Sequence, residues 1–289
     1  MTAPVHIPAP QFSSAVPVER THLGHALRSE WTKIRTVRST IWTLGVMLVL
    51  ILGINLLIVG LSSSDIVTDP VLGFGLFGVL LGQLCVMTLG VLVISSEYGT
   101  GMIRTTLTAC PQRGRVLAAK AIVFFALTFT VTTVACALTA LMNYATFGGK
   151  PVGEGSFLGP RLVVEDGFTT ASGSQWLGAT VGVGLYVALL GLLSLAVGAL
   201  LRHSAGAITT MMGVVLLPLI IAIFMQSDGL HTVQEKLIEY SSPNAIASLY
   251  QMPMLENGDA DGVRQLIVLA IVTAVALGAA YAALAKRDV

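Results

Sequence analysis

Residues 41–61 have the sequence IWTLGVMLVLILGINLLIVGL, which contains no charged residue. As a helix rising 1.5 Å per residue, this stretch reaches across the hydrocarbon core of a bilayer, which is about 30 Å thick. The whole chain has a similar character, with 54% hydrophobic residues, 11% charged residues and a mean hydropathy of +0.83. Soluble domains are roughly a quarter charged. The sequence therefore predicts an integral membrane protein.

Six runs are long and apolar enough to span a membrane. They cover about residues 41–61, 71–94, 118–142, 176–201, 205–225 and 263–285. Only helices satisfy their own backbone polar groups in hydrocarbon one segment at a time, and these runs are too long for barrel strands. The predicted fold class is therefore all-α, with a six-helix transmembrane domain over residues 41–289.

Lysine and arginine are unevenly distributed between the segments that flank the spans. With the N-terminus in the cytoplasm, twelve of the sixteen fall on the cytoplasmic side, and the others are Lys150, Arg161, Lys236 and Arg264. Cytoplasmic loops of membrane proteins carry this excess of positive charge. We therefore expect a multi-pass protein of the cell membrane with both termini in the cytoplasm.

The chain before the first span divides into two parts. Residues 1–20 are rich in proline and have neither an apolar run nor a cleavage site, so we expect a disordered tail and no signal peptide. Residues 21–40 predict an amphipathic helix lying in the cytoplasmic interface, because apolar side chains recur at helical spacing. These side chains are Leu23, Leu27, Trp31, Ile34 and Val37.

Two loops between the predicted spans contain helical patterns. Residues 95–120, SSEYGTGMIRTTLTACPQRGRVLAAK, predict a short helix in a compact cytoplasmic protrusion where a soluble partner would dock. Residues 226–262 predict a helix, a break at 242–244 and a second short helix. This second pattern is consistent with a cap on the outer mouth or with an ordinary extracellular loop.

Two of these stretches resemble permease subunits of type 2 ABC transporters, and in particular those of actinobacteria. They are HALRSEWTKIRTVRSTIWTL at 25–44 and SEYGTGMIRTTLTACPQRGRVLAAK at 96–120. Together they cover about 45 residues, while the remaining spans match the family only in hydropathy and in the order of elements. The long loop at 143–175 is larger than in compact members of the family.

The resemblance implies roles for both stretches. The first would be a connecting helix on the membrane surface, to which Leu27, Glu30, Trp31, Lys33 and Arg35 belong. The second would hold a coupling helix seated on an ATPase subunit, to which Glu97, Tyr98, Gly99, Thr100, Arg104, Thr105 and Leu107 belong. The resemblance also implies extracellular helices between the fifth and sixth spans.

The function implied is that of a permease subunit moving a hydrophobic or amphipathic compound outward, whether drug, lipid or peptide-like. The sequence has no G-x-x-x-x-G-K-[ST] phosphate loop, so ATP and Mg²⁺ would be bound by a separate ATPase subunit, present in two copies. This chain would bind no cofactor itself and would not be an enzyme. Its other partners would be membrane lipid and a second permease chain, identical or related, and not nucleic acid.

The sequence is also compatible with two other functions, that of a non-transporting membrane scaffold and that of an ion-coupled carrier. A carrier usually needs ionisable groups inside its spans, and these spans have essentially none at mid-depth. Asn55 and Gln83 are interior polar residues that would either line a substrate path or bond a neighbouring helix. Small-residue repeats predict packing faces within the chain or in a dimer. They are Gly78 and Gly82, Gly178 and Gly182, and Gly184, Gly191 and Gly198.

Overall fold

The computed structural model describes residues 22–62, 66–102, 105, 112–153, 163–165, 167–225, 228–255 and 262–286. In chain order, the elements are α1 Leu23–Thr36, α2 Arg38–Leu61, α3 Gly75–Gly99, α4 Arg113–Phe147, β1 Val163–Glu165, β2 Phe168–Thr170, α5 Gly173–Leu201, α6 Ser204–Phe224, α7 His231–Glu239, α8 Ser242–Leu249 and α9 Val263–Lys286. Within these ranges, α2, α3, α4, α5, α6 and α9 are long and apolar enough to cross a membrane. The chain is therefore an all-α, multi-pass membrane protein in its architecture, as the apolar runs predicted.

Several predicted boundaries differ from the observed ones. The helix predicted over 21–40 ends at Thr36, because Val37 adopts an extended conformation and Arg38 begins α2. Helix α4 begins five residues before the predicted span and ends five residues after it. At 1.5 Å per residue its 35 residues extend about 50 Å, so both of its ends project beyond a hydrocarbon core.

Helix α5 lies at the centre of the bundle, and 78% of an apolar 18-residue stretch of this helix is buried. Helix α3 packs beside it, with 56% of the corresponding stretch buried. Helices α2, α6 and α9 lie at the periphery, with 17%, 22% and 11% buried. Residues Gly178–Gly182 form a π-helical turn in the first part of α5. A Cβ added at Gly178 would lie 2.4 Å from the backbone oxygen of Leu249, so α8 rests directly on this turn.

The glycine repeats are packing faces inside the chain. A Cβ at Gly78 would lie 2.7 Å from the carbonyl oxygen of Ile51, which places α3 against α2. Gly184 faces Thr133 of α4, and Gly198 faces Val91 of α3. These glycines are therefore occupied by contacts within one protomer, which argues against their use as a dimer contact.

The two ends of the bundle differ, and we name them by their contents. The basic end is formed by α1, the end of α3, the start of α4 and the end of α9. The hairpin end carries β1 and β2, which pair antiparallel. The hairpin is tied to α4, since Thr169 Oγ1 donates a hydrogen bond to the Phe147 carbonyl oxygen at 2.8 Å. Part of the long loop at 143–175 is therefore ordered structure packed on the bundle.

Helices α7 and α8 lie between the fifth and sixth long helices, where the sequence predicted a helix, a break and a helix. The predicted break at 242–244 is wrong, because these residues form the first turn of α8. Ser241 Oγ accepts a hydrogen bond from the Asn244 backbone N–H, and Pro243 occupies the first turn, where its missing N–H costs nothing. The actual break is the two-residue link at 240–241.

Candidate functional site

Four charged side chains from three helices meet at the basic end. Glu30 and Lys33 come from α1, Glu97 from the last turn of α3, and Lys120 from the second turn of α4. We call this group the charge cluster. Glu30 and Lys33 are three residues apart, a spacing that places both on one face of α1.

The two ammonium groups bridge the two carboxylates. Lys120 Nζ donates to Glu30 Oε2 at 2.7 Å and to Glu97 Oε1 at 2.9 Å. Lys33 Nζ donates to Glu30 Oε1 at 2.7 Å and to Glu97 Oε1 at 3.0 Å. Each carboxylate therefore contacts both lysines, and the cluster cannot be separated into two independent pairs.

Most of the cluster is shielded from solvent. The side chains of Glu30, Glu97 and Lys120 are 5%, 7% and 3% exposed, and that of Lys33 is 28% exposed. Burial of an unpaired charge is very unfavourable, whereas two carboxylates and two ammonium groups cancel in net charge. The cluster therefore holds α1, α3 and α4 in one relative position, because separating any of them would leave buried charges unpaired.

The electrostatics of Lys33 reflect this pairing. Burial disfavours its charged form, but hydrogen bonds to Glu30 and Glu97 and the negative charges of both outweigh burial. The pKa of the Lys33 ammonium is therefore raised from its ordinary value of 10.5, and the group is charged at neutral pH.

A second charged contact involves Tyr98, the residue that follows Glu97 in the chain. The guanidinium carbon of Arg202 lies 5.0 Å from the ring centroid of Tyr98, within the distance of a cation–π interaction. Arg202 follows the last residue of α5 and has a positive φ of 53°, which ends that helix. The contact joins the end of the central helix to the end of α3.

The structure brings together parts of the two stretches singled out in the sequence. Glu30, Lys33 and Glu97 meet in the charge cluster. Trp31 and Arg35 are exposed on α1 and Leu27 is half-buried, so these three lie outside the cluster.

The other residues predicted for the coupling segment continue from α3. Tyr98 and Gly99 complete this helix, and Thr100 caps it. Thr105 is exposed and donates a hydrogen bond to the Met102 carbonyl oxygen at 2.8 Å. Arg104 and Leu107 lie outside the described residues.

Sequence reasoning missed the importance of Lys120. It counted this residue only as one of the cytoplasmic cations, although Lys120 lies inside the predicted span at 118–142. A lysine within a span requires a buried partner, so the position of Lys120 in the sequence already indicated a buried charge pair. The identity of the partner was not readable, because Glu30 is 90 residues away in the chain.

The two interior polar candidates have different surroundings. Gln83 is buried and its Oε1 accepts a hydrogen bond from Ser242 Oγ at 2.7 Å, so Gln83 anchors α8 to α3. Asn55 is fully buried, and its side-chain amide has no hydrogen-bond partner in the described part of the chain.

A cavity of about 420 Å³ opens beside the charge cluster. It is lined by all four cluster residues and by apolar side chains of α3 and of the α1–α2 junction. Four hydroxyl side chains also line it, those of Ser39, Thr40, Ser96 and Thr100. Neither Asn55 nor Gln83 lines it. No model of a known protein family matches this chain, and no curated protein matches it either.

Proposed function

We propose that this chain is the membrane-spanning permease subunit of an ABC exporter that moves a hydrophobic or amphipathic compound outward. The observation that carries the proposal is the charge cluster, because it joins the two stretches that resemble type 2 ABC permeases. Glu30 and Lys33 belong to the proposed connecting helix, and Glu97 begins the proposed coupling segment.

In this proposal the basic end faces the cytoplasm and the hairpin end faces outward, across the cell membrane. The described cations of the basic end include Arg28, Arg35, Arg38, Arg115 and Lys286, and their location fits the positive-inside pattern. Helices α7 and α8 would then be the extracellular helices that close the outer mouth.

The coupling step follows from the rigidity of the cluster. An ATPase subunit pressing on residues 100–112 would displace the ends of α3 and α4 together, because Lys120 joins Glu97 to Glu30. Helix α1 would move with them. Two ATPase copies, which bind ATP and Mg²⁺, and a second permease chain would complete the transporter, with α1 resting on lipid.

The test is purification of the tagged protein from its native cell in mild detergent, with identification of whatever co-purifies in equal amount. We expect a soluble subunit that contains G-x-x-x-x-G-K-[ST], and we expect Arg104→Glu to lose it. Arg28→Glu is the matched control, since it reverses a cation exposed on α1 and away from the charge cluster.

A chain that purifies alone under conditions that preserve other ABC complexes would overturn the proposal. Equal recovery of the ATPase with wild type and Arg104→Glu, together with unchanged transport, would exclude this loop as the coupling segment.

A further inference from the structure

The cavity at the basic end has the composition of a ligand site. Its apolar wall is formed by Ile34, Val37, Leu89, Leu92 and Val93, and the charge cluster supplies polar groups. Small-molecule sites typically have volumes of about 300–1,000 Å³ and are apolar with a few convergent polar groups. The volume of about 420 Å³ lies in this range.

One carboxylate oxygen of the cluster lacks a donor. Both oxygens of Glu30 and Oε1 of Glu97 accept hydrogen bonds from lysine. Glu97 Oε2 is buried and accepts none from any described residue. A buried acceptor left without a donor is unfavourable, and more so when it is charged. Glu97 lines the cavity, so a ligand bound there lies beside this carboxylate.

The charge balance decides what kind of donor fits. The two carboxylates and two ammonium groups already sum to zero, so an ionic headgroup would be buried beside them without a counter-ion. An ammonium headgroup would also approach both lysines, and a carboxylate would offer no donor to Glu97. A hydroxyl or an amide N–H supplies the missing hydrogen bond and adds no charge.

We propose that this cavity binds an uncharged amphiphile whose hydroxyl or amide headgroup donates a hydrogen bond to Glu97. Its apolar body lies against Leu89, Leu92 and Val93 of α3. The site is argued from the cluster and the cavity alone, so it does not require the chain to be an exporter. In an exporter, the occupant is a transported compound or a resident bilayer lipid of the same chemistry.

The experiment uses the full-length protein in lipid nanodiscs and three photoreactive probes with the same ten-carbon chain and diazirine. One probe ends in a hydroxyl, one in an ammonium and one in a carboxylate. We expect the alcohol probe to label residues 89–93 about tenfold more than the ammonium or the carboxylate probe. A tenfold difference in binding corresponds to the free energy of about one hydrogen bond. Unlabelled decanol should compete with this labelling.

A matched pair of variants tests the location. Leu92→Trp fills the cavity and should abolish the excess labelling, whereas Leu81→Trp places the same side chain on an exposed part of α3 and should leave labelling unchanged. If Leu92→Trp does not fold, Ser96→Phe replaces it, because Ser96 lines the cavity from an exposed position. None of the three substitutions removes a member of the charge cluster.

Equal or stronger labelling by an ionic probe would overturn the proposal. Labelling spread over the exposed faces of α2, α6 and α9, with no excess at 89–93, would also overturn it, since this is bilayer partitioning only. A further arm separates the two sources of the ligand. Addition of the ATPase partner with ATP should lower labelling by the alcohol probe if the natural occupant is a transported compound. It should leave that labelling unchanged if the occupant is a resident lipid. Either result retains the site.

Discussion

The ammonium group of Lys120 lies within 2.9 Å of oxygens from both buried carboxylates of the charge cluster. Lys120→Met keeps most of the side-chain volume but leaves Glu30 and Glu97 with Lys33 as their one cation among the described residues. Removal of one partner from a buried ion pair costs about 3–5 kcal/mol. We expect a large fall in the thermal unfolding midpoint of the purified protein.

Lys286→Met is the control for this prediction, because Lys286 is exposed at the same end of the bundle. An equal midpoint for Lys120→Met and Lys286→Met would contradict the structural role of the cluster.

Glu239 makes the stability of the hairpin end depend on pH. Its carboxylate accepts a hydrogen bond from Lys236, which is the main cause of its lowered pKa; burial acts in the opposite direction, and Arg264 adds a second hydrogen bond at 3.2 Å. The unfolded chain therefore binds the proton more readily. The stabilisation is complete above the ordinary pKa of 4.5 and is lost as the pH falls through the lower, folded value.

Unfolding midpoints of wild type and Glu239→Gln, measured from pH 7 to pH 3, test this dependence. The difference between them should be largest at pH 7 and should shrink below about pH 4.5. Glu235→Gln serves as the control, because Glu235 is half-exposed and its described ion-pair partner is His231 alone. A difference that does not change with pH would rule out the ion pairs as its source.

At the scale of elements, the contact between α3 and α5 depends on two glycines. A Cβ on Gly90 would lie 2.4 Å from the carbonyl oxygen of Gly191, and a backbone atom cannot rotate away. Gly90→Ala should therefore force the helices apart and destabilise the protein by about 1–3 kcal/mol. Gly53→Ala should be neutral or stabilising, since nothing lies within 4 Å of that position. Unfolding midpoints that fall equally in both variants would contradict the close contact.

The sequence predicted elements well where one local property decides the structure. Apolar length identified the six long helices of the described residues, because a single apolar segment of this length can satisfy its own backbone polar groups in hydrocarbon only as a helix. The glycine spacings predicted packing faces without their partners. The break at Val37 and the early start of α8 were missed, since one depends on a single extended residue and the other on a serine cap.

The candidate site was predicted only in part, for a related reason. Glu30, Lys33 and Glu97 were singled out by resemblance, but their meeting with Lys120 depends on how three helices pack. No local pattern records a contact between residues 90 positions apart. Burial then turns four ordinary surface residue types into one neutral, rigid group.

At the scale of the whole molecule, the two ends carry different cation contents, and this difference sets the orientation we propose. Arg28 is exposed at the basic end, and Glu235 is half-exposed on α7 beyond the fifth long helix. In whole cells, a membrane-impermeant maleimide should label Glu235→Cys and should leave Arg28→Cys unlabelled until the membrane is opened.

Both variants are compared in a Cys110→Ser background, because Cys110 lies outside the described residues, whereas Cys136 is buried and Cys85 is only partly exposed. The assay does not depend on finding a substrate or a partner. If Arg28→Cys is labelled in intact cells and Glu235→Cys is not, the orientation is inverted. An ATPase in the cytoplasm could then not reach the segment after α3, because that segment would lie outside the cell. The same pair of variants therefore tests the membrane topology and a geometric requirement of the proposed coupling.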